Sequence, residues 1–254
     1  MGNLGKNIIW IEECESTNKI GFEECLNNNA ESGTIWIADH QTGGRGQRGN
    51  TWLSEPGKNL LFSFNLKIQE LSLEKQFYLS KAVAVGIREG IANYLAQEGK
   101  SSDELKIKWP NDLYWFNKKI GGILIENHIS KGKWGFSIIG IGLNINQEEF
   151  ILNSAISLKK IIGKDLDRTI ILGEIILALK ESLHFLNQKE FEGLDKIYHQ
   201  ELLGRDEWNK FQETDSINIL GGKIRKVNES GKLELETKFG IKHYDLKEIS
   251  IILD

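Results

Sequence analysis

Gln41-Thr-Gly-Gly-Arg-Gly-Gln-Arg-Gly-Asn-Thr-Trp52 gathers Gly43, Gly44, Gly46 and Gly49 around Arg45 and Arg48. Glycine lets backbone N–H groups approach a ligand closely and adopts positive φ at little steric cost. Two guanidiniums among them are planar, permanently charged donors suited to phosphate or carboxylate. The stretch reads as a loop that cradles an anion; the plainer alternative is a mobile glycine-rich turn. Gly44-Arg-Gly-Gln-Arg-Gly49 also fits the dinucleotide pattern G-x-G-x-x-G. That pattern needs a strand before it, a helix opening at its end and an acidic residue about twenty positions on. Here a Ser-Glu-Pro-Gly turn and a strand-like run, Asn59-Leu-Leu-Phe-Ser-Phe-Asn-Leu66, follow instead. The dinucleotide reading is set aside for want of a helix.

A second group lies between positions 108 and 146. Lys108-Trp-Pro-Asn-Asp112 breaks one strand pattern, and Asp112 at the break could hold Mg²⁺, which takes one or two carboxylates plus phosphate oxygens. Its alternative is an Asx turn. Lys119, across the next hairpin, could meet a phosphate or carboxylate, or simply be solvated. Gly121-Gly122 inside an apolar run leaves room for a flat, mostly apolar ligand, or marks a bulge. Asn144 and Asn146 end a buried strand and need partners, either a nucleotide or a backbone cap. Near the N-terminus, Ser16, Thr17 and Asn18 stand before a weakly amphipathic stretch. Capping that helix is the simpler role; lining a pocket is the other.

These residues need rigid elements. Strand patterns are expected over 7–11, 34–39 and 60–66, and helical periodicity over 72–97, with Phe77, Ala84, Ile87, Ile91 and Leu95 near one face. Strands 105–108, 113–116, 119–126 and 134–146, joined by short turns, predict an antiparallel or mixed sheet. Pro110 ends the first of them. A clear amphipathic helix follows over 167–187 and another over about 190–202. Past Gly204 come short alternating strands over 216–220, 222–227, 232–237, 240–244 and 248–252, separated by glycine turns, the pattern of a small β-barrel. The boundary falls near Leu203.

The 254 residues, 40% of them hydrophobic, suffice for one large domain and a small one. A net charge of −4 argues against broad nucleic-acid binding, so any cationic patch is local and suits a small anionic ligand. Cys14 and Cys25 lack metal or redox spacing and point to a reducing compartment. The five histidines are scattered, which disfavours zinc. With neither a signal peptide nor a membrane-length apolar run, a soluble cytoplasmic protein is expected.

Taken together, Gly44-Arg-Gly-Gln-Arg-Gly-Asn-Thr-Trp52, Lys108-Trp-Pro-Asn-Asp112, Lys119-Ile-Gly-Gly-Ile-Leu124 and Gly140-Ile-Gly-Leu-Asn-Ile-Asn146 resemble, in order and spacing, the signature blocks of biotin–protein ligases. Glu15-Ser-Thr-Asn18 and Gln41 match as well, and the resemblance spans essentially the whole chain. It implies an α+β fold of class II synthetase type: a catalytic domain over 1–203 with a mixed or antiparallel sheet flanked by helices, then an SH3-like β-barrel over 204–254. It also implies a monofunctional ligase, since the winged helix-turn-helix of repressor-type members is not in the sequence. Biotin and Mg·ATP would give biotinyl-5′-adenylate, and a lysine of a biotin carboxyl carrier domain would then take the biotin. By the same likeness Ser16, Thr17, Asn18, Gln41 and Gly122 meet biotin. Arg45, Gly46 and Gln47 line a closing loop over it, and Arg45 and Lys119 serve the reacting carboxylate and phosphate. Arg48, Trp52, Lys108, Asn111, Asp112 and Asn144 face the nucleotide, with Asp112 toward Mg²⁺. Some relatives pair through sheet edges, so a homodimer is an expectation. Gln47 stands where many members have arginine, which shifts retention of the adenylate onto Arg45, Arg48 and Lys119. Rival readings are a lipoate ligase or octanoyltransferase of similar fold, and a non-enzymatic biotin or nucleotide sensor.

Overall fold

The computed structural model describes residues 3–68, 71–151, 153–214 and 216–253, with the side chain of Arg48 outside the described set. Seven strands form the larger sheet: β1 (Ile8–Cys14), β2 (Ile35–Gln41), β3 (Leu60–Lys67), β4 (Leu105–Lys108), β5 (Asp112–Trp115), β6 (Lys118–Ser130) and β7 (Lys133–Leu143). Their order is β1-β2-β3-β7-β6-β5-β4. Only β1 and β2 run parallel; the other neighbours are antiparallel, and β4 to β7 follow one another through short hairpin turns.

Both faces of this sheet are covered, and period-two alternation sorts its residues between them. Leu60, Phe62, Phe64 and Leu66 of β3 point into the main core with Ile35, Ile37, Ile139 and Ile141. There they meet α2 (Phe77–Gln97) and α4 (Arg168–Gln188), which lie against one another. Gly86 and Gly90 allow that approach: a Cβ on Gly90 would stand 2.5 Å from Ile175 Cα. On the opposite face α1 (Thr17–Leu26) covers β2, β3 and β7. Ser63 and Asn65 are the polar residues that β3 turns toward it. The first turn of the expected 72–97 helix closes instead as a short 3₁₀ turn, Leu73–Lys75.

After α3 (Leu158–Ile162) and α5 (Phe191–Gln200), a separate antiparallel sheet holds β8 (Asn209–Glu213), β9 (Ile219–Val227), β10 (Leu233–Thr237), β11 (Gly240–Tyr244) and β12 (Ile249–Ile251). Its order, β11-β10-β9-β8-β12, leaves β11 and β12 as edges, so the pairing is that of an open sheet. Two strands depart from expectation. The run 222–227 and the end of the run 216–220 are one strand, β9, which starts at Ile219, because Gly221 and Gly222 continue the ladder rather than turning; a Cβ on Gly222 would stand 2.9 Å from Glu236 O. β8 was not expected, since Phe211 is the one buried residue among its five.

Candidate active site

One groove of about 510 Å³ runs between the α1-facing side of the large sheet, the Gly/Arg stretch and the C-terminal sheet. Its first end is polar and uncharged. Ser16 holds the N-cap position of α1, yet its side chain makes no capping bond. Gln41 Oε1 caps instead, accepting from Thr17 N at 2.7 Å and Thr17 Oγ1 at 3.1 Å. Ser16 is thereby left to line the groove. Thr17 Oγ1 meets Ser63 Oγ at 2.6 Å, Ser63 donates to Asn18 Oδ1 at 2.5 Å, and Asn18 Nδ2 donates to Glu126 at 2.8 Å. This chain fixes amide and hydroxyl groups for a neutral polar ligand. Gly140 gives it space: a Cβ there would stand 2.1 Å from Asn18 Oδ1.

The middle of the groove is built on glycine. Gly122 of β6 pairs across the sheet with Gly142 of β7, and the Trp52 indole lies on that pair. A Cβ on Gly142 would come 2.5 Å from Trp52 Cε2, and one on Gly122 3.3 Å from Trp52 Cζ3, Asp112 Oδ1 and Lys119 Nζ alike. The gap expected at Gly121-Gly122 is thus partly filled by the protein's own tryptophan. The Trp52 Nε1–H is buried and meets no acceptor among the described residues. Beside it Lys119 Nζ pairs with Asp112 Oδ1 at 2.7 Å and sits 5.6 Å from the indole centre.

The loop framing this centre is a tight hairpin. Arg45 bridges to Thr51, Gly46 N donates to Asn50 O at 2.6 Å, and Trp52 N donates to Gly44 O at 2.9 Å. Gln47–Gly49 turn at the tip. Arg45 reaches Glu15 at 3.3 Å on the exposed rim. Toward the far end, Lys108 lies 5.0 Å over the Tyr114 ring. Burial pulls its ammonium below the usual lysine range; the attraction of Asp112 opposes this and the charge of Lys119 adds to it. Asn111 Nδ2 donates to Ile123 O at 2.5 Å, holding the turn between β4 and β5.

Ser16, Thr17, Asn18, Gln41, Arg45, Gly46, Gln47, Trp52, Lys108, Asn111, Asp112, Lys119 and Gly122 therefore line one groove. Asn144 does not: it is buried at the end of β7, donating to Ile156 O at 3.2 Å, and Asn146 likewise caps backbone through Leu166. For both, the backbone-cap alternative is the one realised in these contacts. Arg48 has no described side chain. Sequence reasoning missed Ser63, although a serine in an apolar strand is itself a signal of a buried polar role. It also missed the wall from the C-terminal sheet, with Phe211, Ile224, Leu233 and Lys247, for which no local signal exists.

Residues 10–144 match the model of the biotin/lipoate A/B protein ligase family. The chain belongs to that family. It is 30% identical to the bifunctional ligase/repressor BirA of Bacillus subtilis, covering 94% of this chain and 72% of that protein. To the BirA of Escherichia coli it is 28% identical, over 99% and 76%. Among solved structures, biotin protein ligase from Aquifex aeolicus in complex with biotin and ATP aligns over 98% of this chain and 100% of its own, at 30% identity and a TM-score of 0.77.

Proposed function

We infer that the chain is a biotin–protein ligase, which activates biotin with ATP to biotinyl-5′-adenylate and passes it to a lysine of a biotin carboxyl carrier domain. The carrying observation is the groove itself: an uncharged hydrogen-bonding end joined at Lys119–Asp112 to a cationic end, in a chain whose homologue of known structure binds biotin and ATP. Attack of a carboxylate on the α-phosphorus needs no protein nucleophile. It needs two anions brought together and their charge neutralised.

In this reading Ser16, Thr17, Asn18 and Gln41 hold the ureido head of biotin, with Gly122 and Gln47 along its length. Lys119 and Arg45 neutralise the meeting carboxylate and phosphate. Trp52, Lys108, Asn111 and Asp112 serve the nucleotide, and the hairpin 43–50 shields the adenylate from water. Arg48 and Asn144 remain assigned by resemblance alone, and the contacts of Asn144 favour a structural part. Among the described residues no three metal-binding side chains cluster. Mg²⁺ would therefore be held by Asp112 together with phosphate oxygens, adding charge neutralisation at the phosphates.

Residues 1–203 would form the catalytic unit and 204–254 the family's SH3-like barrel; among the described residues no strand ladder joins the two sheets, which supports that boundary. No described helix is long and apolar enough to cross a membrane, in keeping with a cytoplasmic ligase. The local character of the cationic groove, in a chain of net charge −4, fits a nucleotide rather than a nucleic acid. Edge strand β1 leaves Ile8, Ile9 and Trp10 partly exposed, a surface suited to pairing with a second copy. Biotin-dependent exchange of labelled pyrophosphate into ATP, followed by biotin transfer to a carrier domain, tests the function. Exchange driven by lipoate in place of biotin would overturn it.

A further inference from the structure

The C-terminal sheet sends a cation into the groove. Lys247 lies in the turn between β11 and β12 with its backbone in the left-handed region, φ +69°, which residues with a Cβ occupy at a cost. Thr214 Oγ1 donates to its carbonyl and secures the turn. The half-buried side chain crosses to the Gly/Arg hairpin, where Nζ donates to Gln47 O at 3.2 Å. An ammonium has three donors, and this contact uses one.

Charge balance indicates what the others face. Among the described residues the groove is lined by four cations, Arg45, Lys108, Lys119 and Lys247, against one carboxylate, Asp112. Arg45 is paired with Glu15 and Lys119 with Asp112. Lys247 meets no carboxylate within ion-pair distance among the described residues. It is held at the Gly/Arg hairpin through Gln47 O.

We propose that Lys247 is a phosphate-binding residue that takes the leaving pyrophosphate of the nucleotide. This rests on the ligase reading. In-line displacement places the leaving group opposite the attacking oxygen. With the carboxylate arriving from the α1 end, the β- and γ-phosphates point toward the C-terminal sheet. The carboxylate O–P bond forms as the bond from the α-phosphorus to the bridging oxygen breaks. That electron pair departs with pyrophosphate, and no proton is required. Charge therefore grows on the leaving group, where Lys247 has donors to offer.

Steady-state pyrophosphate exchange on Lys247→Gln, Lys247→Arg and Lys247→Gly tests this. Glycine relieves the left-handed backbone, so that variant keeps its fold while losing the charge. Lys247→Gln and Lys247→Gly are expected to raise KM for ATP and for pyrophosphate about tenfold to a hundredfold, the scale of one charge-assisted contact. KM for biotin should stay unchanged, and Lys247→Arg should stay close to wild type. Single-turnover transfer from preformed adenylate should not slow. Unaltered KM for both phosphate substrates would overturn the proposal. So would parallel rises for ATP and biotin, which would make Lys247 a fastener of the hairpin alone. Wild-type protein without biotin-dependent exchange would sink the ligase reading instead, and calorimetric ATP affinity of wild type against Lys247→Gly would still decide the role of Lys247.

Discussion

Lys119 and Asp112 were visible in sequence as residue types but not as partners, since only the hairpin register brings them to 2.7 Å. Asp112 pairs across the ladder with Gly122, and the missing Cβ leaves the space through which Lys119 reaches back. The pair is partly solvated, so it adds at most about 1 kcal/mol to stability, whereas neutralising developing charge in the groove is worth several times more. Lys119→Ala should therefore slow adenylate formation by roughly a hundredfold or more while its urea midpoint stays near wild type. Wild-type single-turnover rates would remove Lys119 from the reacting centre. Asp112→Asn keeps the shape and removes the charge. It should shift the Mg²⁺ titration of the exchange reaction to higher concentration, and an unshifted titration would demote Asp112 to a turn residue. Trp52 was placed near the nucleotide by resemblance; that it rests on the Gly122–Gly142 pair follows from cross-strand register, which no single motif encodes.

Element order was largely legible because periodicity and turn residues are local. The hairpins from 105 to 146, the helix capped by Asp167 and the strand leading into Gln41 all occupy nearly the spans their patterns indicate. What failed was glycine read without context: Gly221-Gly222 looked like a turn and lies within β9, where neighbours approach too closely for a Cβ. In α2 the glycines Gly86 and Gly90 face α4, where Leu179 and Ile175 approach too closely for a Cβ. Gly90→Ala tests this by setting two effects against each other. Alanine gains about 1 kcal/mol of helix propensity. Its methyl would stand 2.5 Å from Ile175 Cα and 2.8 Å from Ile175 N, backbone that cannot rotate away. Overpacking of that kind costs about 1–3 kcal/mol, so the contact should win and the urea midpoint should fall. A raised midpoint would mean that α2 and α4 separate freely.

At the scale of the whole molecule, the C-terminal sheet is tied to the turn after β4, to α2 and to α5 by contacts that span more than a hundred residues of sequence or nearly thirty, and no local pattern announces them. Trp109 Nε1 donates to Gly231 O at 2.9 Å, so the turn that carries Asn111 and Asp112 is anchored on the C-terminal sheet. Fully buried Lys81 bonds both Asp195 and Val227 O, and the N–H of the same Val227 donates to His199 Nε2 at 2.8 Å. The last contact requires a neutral imidazole. Burial holds the His199 pKa below its ordinary value of 6.5, the charge of Lys81 adds to that and Asp195 opposes it. The unfolded chain therefore binds a proton near pH 6.5 that the folded chain refuses, and the stability from this site is present above that pH and lost as pH falls below it. For one group the slope reaches at most about 1.4 kcal/mol per pH unit. His199→Gln removes the titration while leaving a side chain able to accept from Val227 N. Urea melts of both proteins from pH 7.5 down to pH 5 should show wild type losing stability faster than the variant, with the difference vanishing above pH 7. Parallel losses would place the acid sensitivity elsewhere and leave the Val227 contact indifferent to the charge on His199.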